Sequence, residues 1–406
     1  MSNFLSDYLF FNSGNECPTA YHQWSALATI ASAVGPKVHF NYEYINIYLN
    51  PYIILVGEQG NGKTFAKDES YKLLRLAIPT TPMSAECTSK ESIVQYMCED
   101  DQARTFKDPC NPLATNGMVE YRPFTIYVTE LKNFVSVNPA GMLDFLTTIY
   151  DRTGGIYDAR YRNKGDFALK CPYVVFLACE TPEWLTFRLK ESVISGGFSR
   201  RCFFVYEISD KLFTKQPRIT PEMRSAFARC VRHLIEIKNI VGVFTFADGV
   251  EAYFTRWSES RRLPPDTIIL GYIRTKHILV LKVACQLAMC EYPPTLTISK
   301  DHVDIALELM ARLEPNMYRL FQGVGQNPLV QPGTVMLNLV DALGGIVLEK
   351  DVKEAMWKSA KHVDYHQIRT HMRESGKLIF AQRDGIDYVF TQAKLEEFKL
   401  KGKVKQ

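Results

Sequence analysis

Residues 57–64 (GEQGNGKT) have the composition and spacing of a loop that binds phosphate groups. Its glycines allow backbone N–H groups to converge on an anion, and Lys63 is placed to contact the β- and γ-phosphates of a nucleotide. The hydroxyl of Thr64 is placed to bind Mg²⁺. The residues that we expect to bind ATP are Gly57, Gly60, Asn61, Gly62, Lys63 and Thr64.

Two elements must position this loop. Residues 52–56 (YIILV) form an apolar, β-prone run directly before it, and residues 65–74 are compatible with a helix directly after it. Strand, glycine loop and helix in this order are the context that a P-loop requires. The context favours ATP and Mg²⁺ as cofactors over a glycine-rich turn that matches by chance.

A carboxylate ends a second apolar run, residues 124–130 (FTIYVTE). In a P-loop ATPase, a strand next to the P-loop strand delivers the acid that orients the attacking water, and we assign that role to Glu130. Such motifs usually end in Asp-Glu, whereas Thr129 stands in the aspartate position here, which leaves Mg²⁺ handling and the turnover rate open. A surface glutamate after a buried strand is the alternative interpretation.

Polar residues also flank two later apolar runs. Thr181 follows residues 173–179, and we favour it as the group that senses the γ-phosphate. Arg200 and Arg201 precede the run that begins at residue 202. An arginine in this place can project into the nucleotide of a neighbouring subunit and stabilise the transition state, and Arg200 is our candidate. A salt bridge at a strand edge is the alternative.

Residues 154–170 predict a β-hairpin with residues 163–165 near its tip. Basic and aromatic residues interleave there, which suits contact with phosphates and stacking on bases of single-stranded DNA. A solvated hairpin with ordinary surface charges fits the pattern equally well. The candidate DNA-binding residues of the hairpin are Arg160, Arg162 and Lys164.

The order of these motifs resembles that of AAA+ ATPases of the helicase type. The greatest similarity is to helicase-like proteins of phages, plasmids and genomic islands, which are similar to minichromosome-maintenance helicases. In the latter, a Ser-Arg-Phe segment supplies a trans-acting arginine finger; Ser199 and Arg200 match it here, and Arg201 replaces the aromatic residue. The resemblance covers residues 15–320 and implies a homo-oligomer, with a hexamer favoured, whose hairpins grip single-stranded DNA in a channel.

Residues 216–325 are mostly helical by periodicity, and the resemblance implies that they form a helical lid. In this region Arg274 is our candidate for a lid arginine that reaches the γ-phosphate. An arginine on a mostly buried helix that extends to solvent is the alternative.

Residues 332–398 predict three helices followed by a hairpin around Asp384 and Gly385, which is a winged-helix pattern. The third helix carries His366, Arg369 and Arg373 on one face. That helix enters the major groove in helix-turn-helix folds, so we expect these residues to contact duplex DNA. Winged helices also dock proteins, and this alternative stays open.

Composition sets limits on location. The chain has 406 residues, a net charge of +4 and ten cysteines without a C-x-x-C pair. Several cysteines lie in apolar runs and indicate buried thiols in a reducing compartment. Neither a targeting sequence nor an apolar run long enough to cross a bilayer is evident, so we expect a cytoplasmic protein without a membrane partner.

Together these patterns predict an α/β protein. The predicted divisions are an N-terminal helical segment (1–45), a P-loop ATPase core of the AAA+ type (46–215), a helical lid (216–325), a winged-helix domain (332–398) and a basic tail (399–406). The function we expect is an ATP-dependent DNA helicase or translocase in the replication of a mobile genetic element. One alternative is an initiator or helicase loader that remodels DNA without unwinding it. Another is a nucleotide-switched DNA-binding assembly protein with little hydrolysis.

Overall fold

The computed structural model describes residues 2–108, 111, 113–161, 165–188, 197–207, 218–263, 269–321, 330–359 and 364–394. It divides into two compact units, Met1–Val324 and Gly325–Gln406. Helices combine with sheets of mixed parallel and antiparallel strands, which confirms the predicted α/β class. Arg162, Lys164 and the predicted basic tail (399–406) lie outside the described residues.

In the ranges that the structure describes, the first unit combines helices with three sheets. Its helices are α1 (Phe4–Phe11), α2 (Thr19–Val34), α3 (Lys63–Ala77), α4 (Lys90–Cys98), α5 (Leu131–Phe134), α6 (Pro139–Asp151), α7 (Pro182–Arg188), α8 (Pro221–Ile237), α9 (Val250–Ser260), α10 (Leu270–Met289) and α11 (Lys300–Phe321). Its strands are β1 (Val38–Tyr42), β2 (Ile45–Tyr48), β3 (Tyr52–Val56), β4 (Arg104–Lys107), β5 (Met118–Val128), β6 (Ile156–Tyr161), β7 (Gly165–Lys170), β8 (Pro172–Glu180), β9 (Cys202–Tyr206), β10 (Gly242–Phe246) and β11 (Thr297–Ile298). Among the described residues, none of the helices has the length and apolarity needed to cross a membrane.

A five-stranded sheet lies at the centre of the first unit, in the order β4-β5-β8-β3-β9. Strands β5, β8, β3 and β9 run parallel, and β4 is antiparallel to β5. Every residue of β3 and β8 is buried, as expected for parallel strands that are covered on both faces. The Tyr173 hydroxyl donates to Ala31 O of α2, and the Tyr52 hydroxyl donates to Leu146 O of α6, so helices cover opposite faces.

The order of strands corrects one prediction. The strand that ends before Glu130, β5, is not next to the P-loop strand β3, because β8 lies between them and pairs with both. Strand β8 follows β5 in the chain and is buried along its whole length. A fully apolar strand is most stable in the middle of a parallel sheet, where both of its edges are paired and both of its faces are covered.

A four-stranded sheet, β11-β10-β1-β2, connects the beginning of the first unit to its later part. Strand β1 pairs in parallel with β10, with Val38 opposite Gly242. Helix α1 packs against α8, where Arg229 donates to both carboxylate oxygens of Asp7. The segments predicted separately as residues 1–45 and 216–325 are therefore joined by strand pairing and helix packing.

The described residues of the second unit form three helices and a three-stranded antiparallel sheet. Its elements are α12 (Val330–Ala342), β12 (Ile346–Leu348), α13 (Glu349–Ser359), α14 (Tyr365–Glu374), β13 (Leu378–Arg383) and β14 (Ile386–Thr391). The sheet order is β12-β14-β13, and the β13–β14 turn places Asp384 and Gly385 at φ values of 51° and 78°. Two positive φ values are typical of a tight hairpin turn, for which Asp-Gly is well suited. The helices and the sheet enclose a small apolar core that includes Met336, Val340, Val352 and Ile368.

Candidate functional site

The glycine-rich loop connects the carboxyl end of β3 to the amino end of α3. Gly60 and Gly62 have φ values of +82° and +76°, a backbone conformation that favours glycine. Gly62 directly precedes α3, whose first N–H groups have no partner within the helix. The loop therefore presents backbone donors and the positive end of a helix dipole, both of which favour an anion.

Helix α2 contacts the glycine-rich loop through the side chain of Tyr21. The Tyr21 hydroxyl donates to Val56 O at 2.5 Å, and a Cβ added at Gly57 would lie 2.3 Å from the same hydroxyl oxygen. The Asn61 amide donates to Glu207 O at 2.6 Å and contacts the Tyr21 hydroxyl oxygen at 3.1 Å. Asn61 thus positions the loop against the end of β9, and Tyr21 is a positioning residue that the sequence analysis did not select.

Lys63 is buried, and its ammonium lies inside the curve of the loop. It donates to the carbonyl oxygens of Gly57 at 2.5 Å and Glu58 at 2.6 Å. Burial lowers the pKa of Lys63, while the nearby Cys179, Glu180 and Glu58 act in the opposite direction. Thr64, the predicted Mg²⁺ ligand, is exposed in the first turn of α3. The lysine is therefore held where a phosphate on the loop would meet it.

Glu180 is the residue of this region that sequence reasoning missed. It ends β8, is only 3% exposed, and lies opposite Val56 of β3. Its carboxylate accepts hydrogen bonds from the backbone N–H groups of Lys132 at 2.8 Å and Thr181 at 2.9 Å. The only signal in the sequence was an acid directly after the apolar run. Glu180 therefore links the segments that follow β5 and β8 by hydrogen bonds, and its carboxylate lies beside the glycine-rich loop.

Thr181, predicted as the γ-phosphate sensor, is half-buried directly after β8. Its hydroxyl accepts from Trp184 N–H at 3.4 Å in the first turn of α7 and contacts the Glu180 carboxylate at 3.4 Å. The threonine side chain is therefore directed to the start of its own helix. Glu180, rather than Thr181, is the polar group that the structure places at the end of this strand.

Glu130 follows β5 and precedes α5. Its carboxylate is 43% exposed, accepts from the Asn133 amide at 2.6 Å and lies 3.4 Å from the Lys132 ammonium. The carboxyl ends of β3, β8 and β5 share one edge of the sheet, so Glu130 is on the same edge as the loop, two strands from β3. The structure brings it to the site region and leaves the carboxylate open to water.

Thr129 contacts a second carboxylate, that of Glu86. Its N–H and hydroxyl donate to Glu86 at 2.6 and 2.8 Å, and the buried Lys67 ammonium donates to Thr129 Oγ1 at 2.9 Å and to Glu86 at 3.1 Å. Burial would raise the pKa of Glu86, but the hydrogen bonds from Thr129 and Lys67 outweigh it, so the pKa lies below its usual value. The expected aspartate position is therefore a threonine with a carboxylate and an ammonium beside it.

Arg200 and Arg201 have different surroundings in the 3₁₀ turn Ser199–Arg201. Arg201 is buried, and its Nε donates to Asp151 at 2.9 Å while Nη2 contacts the other carboxylate oxygen of Asp151. Arg200 is exposed. The turn precedes β9, whose Cys202 pairs with Tyr52, so Arg200 lies at the amino end of the sheet, about 13 Å or more from the loop. The salt-bridge interpretation applies to Arg201.

Arg274 does not lie near the loop. It is in α10, where the Thr275 hydroxyl donates to Arg200 O at 3.3 Å and the Lys282 ammonium donates to Asn50 O at 2.8 Å. Both contacts are at the amino end of the central sheet, opposite the loop. Arg274 therefore does not reach the loop of its own chain, and its predicted contact with a γ-phosphate stays a prediction that would need the nucleotide of a neighbouring subunit.

Helix α11 approaches the loop edge more closely than α10 does. The Asn316 amide donates to Tyr206 O at 2.7 Å, at the end of β9. Burial raises the pKa of Glu207, and the charge of Arg312 opposes this effect. Arg312 is thus a lid-region cation on the side of the loop, which the sequence analysis did not select.

The four predicted DNA-binding residues that lie within the described ranges differ in their surroundings. Strands β6 and β7 form the expected hairpin, on which Arg160 is exposed and 3.4 Å from Asp166. In the second unit His366 and Arg373 are exposed on α14. Arg369 instead donates to Glu349 at 2.7 Å and lies over the Phe380 ring at 4.9 Å, so its charge is used within the unit. The prediction that all three residues of α14 form one free basic face is corrected at Arg369.

The Arg201–Asp151 pair gives a stability prediction. Asp151→Ala leaves a buried guanidinium without its counter-ion, and we expect the free energy of unfolding to fall by about 2–3 kcal/mol, less than for a fully buried pair because the Asp151 carboxylate is half exposed. Urea denaturation measures the change. Asp166→Asn is the control: its partner Arg160 is exposed, and a change within about 0.5 kcal/mol is expected. Equal effects of the two substitutions would contradict a structural role for Arg201.

Comparison with known proteins gives no family. No protein-family model matches the chain, and no curated protein matches it. The functional interpretation therefore depends on the residues and their geometry.

Proposed function

We propose that this chain is a P-loop ATPase of the AAA+ type that acts on DNA as a homo-oligomer. One observation carries the proposal: the glycine loop after β3 encloses the buried Lys63 ammonium, and Glu180 lies at the end of the adjacent strand. A positive helix terminus with a buried cation is suited to a polyphosphate. Carboxylates beside it are suited to Mg²⁺ and to the activation of water.

The residues fit ATP and Mg²⁺ in the following way. Lys63 and the N–H groups of the loop bind the phosphates, and Thr64 contributes a hydroxyl ligand to the metal. The described residues hold no group of three or more acidic, histidine or cysteine side chains suited to a metal. Mg²⁺ in nucleotide sites needs only one or two protein ligands in addition to phosphates and water. Bound there, Mg²⁺ would neutralise phosphate charge during transfer.

The carboxylates of Glu180 and Glu130 have separate roles. Both oxygens of Glu180 accept backbone N–H groups, so this side chain positions the segments after β5 and β8. Glu130 is open to water, and we assign to it the orientation and deprotonation of the attacking water. Arg200 is at the far end of the sheet from its own loop, so it acts on the nucleotide of a neighbouring subunit.

The Glu130→Gln substitution tests the assignment. We expect ATP affinity to be kept and hydrolysis with single-stranded DNA present to fall by at least about 100-fold, the effect of losing a general base. Phosphate release and nucleotide binding are measured in parallel. Lys132→Gln is the control, because it removes the ion pair of Glu130 and leaves its carboxylate. Unchanged hydrolysis by the Glu130 variant would show that another residue activates water.

A helicase or translocase is the favoured form of this activity. The exposed Arg160 on a two-stranded hairpin supports contact with single-stranded DNA, and the three helices with a hairpin in the second unit support a winged helix that contacts duplex DNA through His366 and Arg373. Strand displacement on a forked duplex tests this form. An assembled, ATP-hydrolysing oligomer that does not unwind the fork would contradict it and favour an initiator or helicase loader.

A specific observation also supports a nucleotide-switched assembly protein. Lys67 places an ammonium 2.9 Å from Thr129 Oγ1, in the position where most related sites would have an aspartate. The ammonium is paired with Glu86 at 3.1 Å and Asp68 at 3.0 Å, so the carboxylates near Thr129 are engaged in ion pairs and are not free to bind Mg²⁺, which would slow hydrolysis. Nucleotide-dependent assembly without measurable hydrolysis by the unsubstituted protein would favour this second function.

A further inference from the structure

We propose that the first unit has a second anion site, separate from the glycine loop, that binds phosphate groups. A cavity of about 350 Å³ lies between β4, the middle of β5 and the end of α8. Four basic residues line it, and its lining contains no aspartate or glutamate. The four residues are Lys37, Arg104, Lys107 and Lys238.

The cavity is distant from the loop in the topology of the sheet. Its β5 residues, Tyr121 and Pro123, belong to the amino-terminal half of that strand, whereas the loop is at the carboxyl edge of the sheet. Strands β8, β5 and β4 follow β3 in order, so β4 is the outermost strand on this side. One phosphate-bearing group cannot occupy the cavity and the loop together.

The cations of the cavity are held by neutral groups. Lys37 contacts the carbonyl oxygen of Lys238, and Arg104 donates to the carbonyl oxygens of Ala103 at 2.9 Å and Asp101 at 2.5 Å. Across the ranges that the structure describes, none of the four basic residues forms a salt bridge with a carboxylate. Carbonyl oxygens satisfy the donors but leave the positive charge in place.

The energetic consequence is most evident at Lys37. Burial, together with the nearby charge of Lys238, lowers the pKa of Lys37 to about 8. Charges that repel one another in a partly buried cavity are stabilised by a multiply charged anion. The cavity thus has a charge of the sign and density that a chain of phosphates matches.

The aromatic residues of the cavity limit the class of ligand. Phe106 and Tyr121 are each only 8% exposed, so neither offers a free face on which a base could stack. The volume is at the lower end of small-molecule pockets, which run from about 300 to 1,000 Å³. Phosphate groups, rather than bases, are therefore the recognised chemistry. They belong either to a free polyphosphate or to the backbone of a nucleic-acid strand.

Hydrogen exchange with mass spectrometry on the full chain locates the site. Inorganic triphosphate and a dT oligonucleotide are added separately to the unsubstituted protein and to Lys63→Ala, in which the loop is disabled. We expect slower exchange in peptides that contain residues 104–107 and 237–241 in both proteins. Protection by triphosphate alone identifies a free polyphosphate, and protection by the oligonucleotide alone identifies a nucleic-acid backbone. Protection by both the triphosphate and the oligonucleotide is the result expected of a site that recognises only phosphate groups. Protection confined to residues 57–66 would overturn the second site without affecting the proposed ATP site.

Affinity measurements test the same site independently. Arg104→Gln with Lys107→Gln, in the Lys63→Ala background, is expected to weaken binding of the protecting ligand by at least about tenfold, because charge-assisted hydrogen bonds are lost. Arg256→Gln with Lys300→Gln removes the same charge from exposed positions elsewhere in the unit and serves as the matched control. Equal affinities of the two double variants would overturn the proposal.

Discussion

Lys63→Ala is expected to weaken ATP binding by at least about 100-fold, since two charge-assisted hydrogen bonds to phosphate, each of about 1.5–3 kcal/mol, are lost. The buried ammonium contacts Gly57 O and Glu58 O, so it is already held inside the loop at little further cost in side-chain entropy. No other described lysine or arginine donates to these two carbonyl oxygens. Hydrolysis is expected to fall as well, because the ammonium no longer neutralises phosphate charge during transfer, and titration with a fluorescent ATP analogue measures the affinity.

Lys72→Ala is the matched control for Lys63→Ala. Lys72 belongs to the same helix, but it is exposed and pairs with Glu69 at 2.7 Å, far along α3 from the loop. We expect its ATP affinity to equal that of the unsubstituted protein. A thermal melt of each variant separates loss of binding from loss of folding. If folded Lys63→Ala protein keeps its affinity for ATP, the loop is not a triphosphate site and the proposed function is wrong.

Features that depend on neighbouring residues were predictable from the sequence. The order of strand, glycine loop and helix around residues 57–64 is local, and the structure has β3, the loop and α3 in that order. The hairpin of β6 and β7 was also predictable, because alternation and a glycine near the tip are local signals. The α/β class follows from many such segments.

Features that depend on strand order and packing could not be predicted from the sequence. Nothing in residues 124–130 reveals that β8 separates β5 from β3. The positioning role of Glu180 depends on β8 being next to β5, because its carboxylate accepts N–H groups from the segments that follow both strands. Strand pairing joins residues that are distant in the chain, and periodicity carries no information about the partner.

The findings at Arg274 and Arg369 have a common physical cause. Helical spacing predicted helices around Arg274 and Arg369, and both lie in helices, α10 and α14. Spacing could not tell which end of the central sheet α10 covers, or that Glu349, twenty residues earlier than Arg369, would neutralise its charge. Whether a cation is free is decided by its tertiary neighbours.

Arg200→Ala is expected to lower the rate of ATP hydrolysis by about 10³-fold while leaving ATP affinity nearly unchanged, as is typical of an arginine finger. Arg200 is exposed, whereas its neighbour Arg201 is fixed by Asp151, so only Arg200 is available to a second subunit. The residue is also at the end of the sheet opposite its own loop, because Cys202 pairs with Tyr52. Under the proposed function, an arginine in that place would stabilise developing charge on the nucleotide of a neighbouring subunit.

A mixing experiment decides whether Arg200 acts in trans. Arg200→Ala protein keeps an intact loop, and Lys63→Ala protein keeps an intact arginine, so an interface between the two contains one complete site. We expect the mixture to hydrolyse ATP faster than either variant alone, with Arg256→Ala, which removes an exposed arginine from α9, behaving as the unsubstituted protein. A mixture no more active than its components would contradict a shared site. An Arg200→Ala protein with full activity would contradict any catalytic role for this residue. Recovery in the mixture follows only if each loop is completed by the arginine of another chain, since neither variant contains both groups.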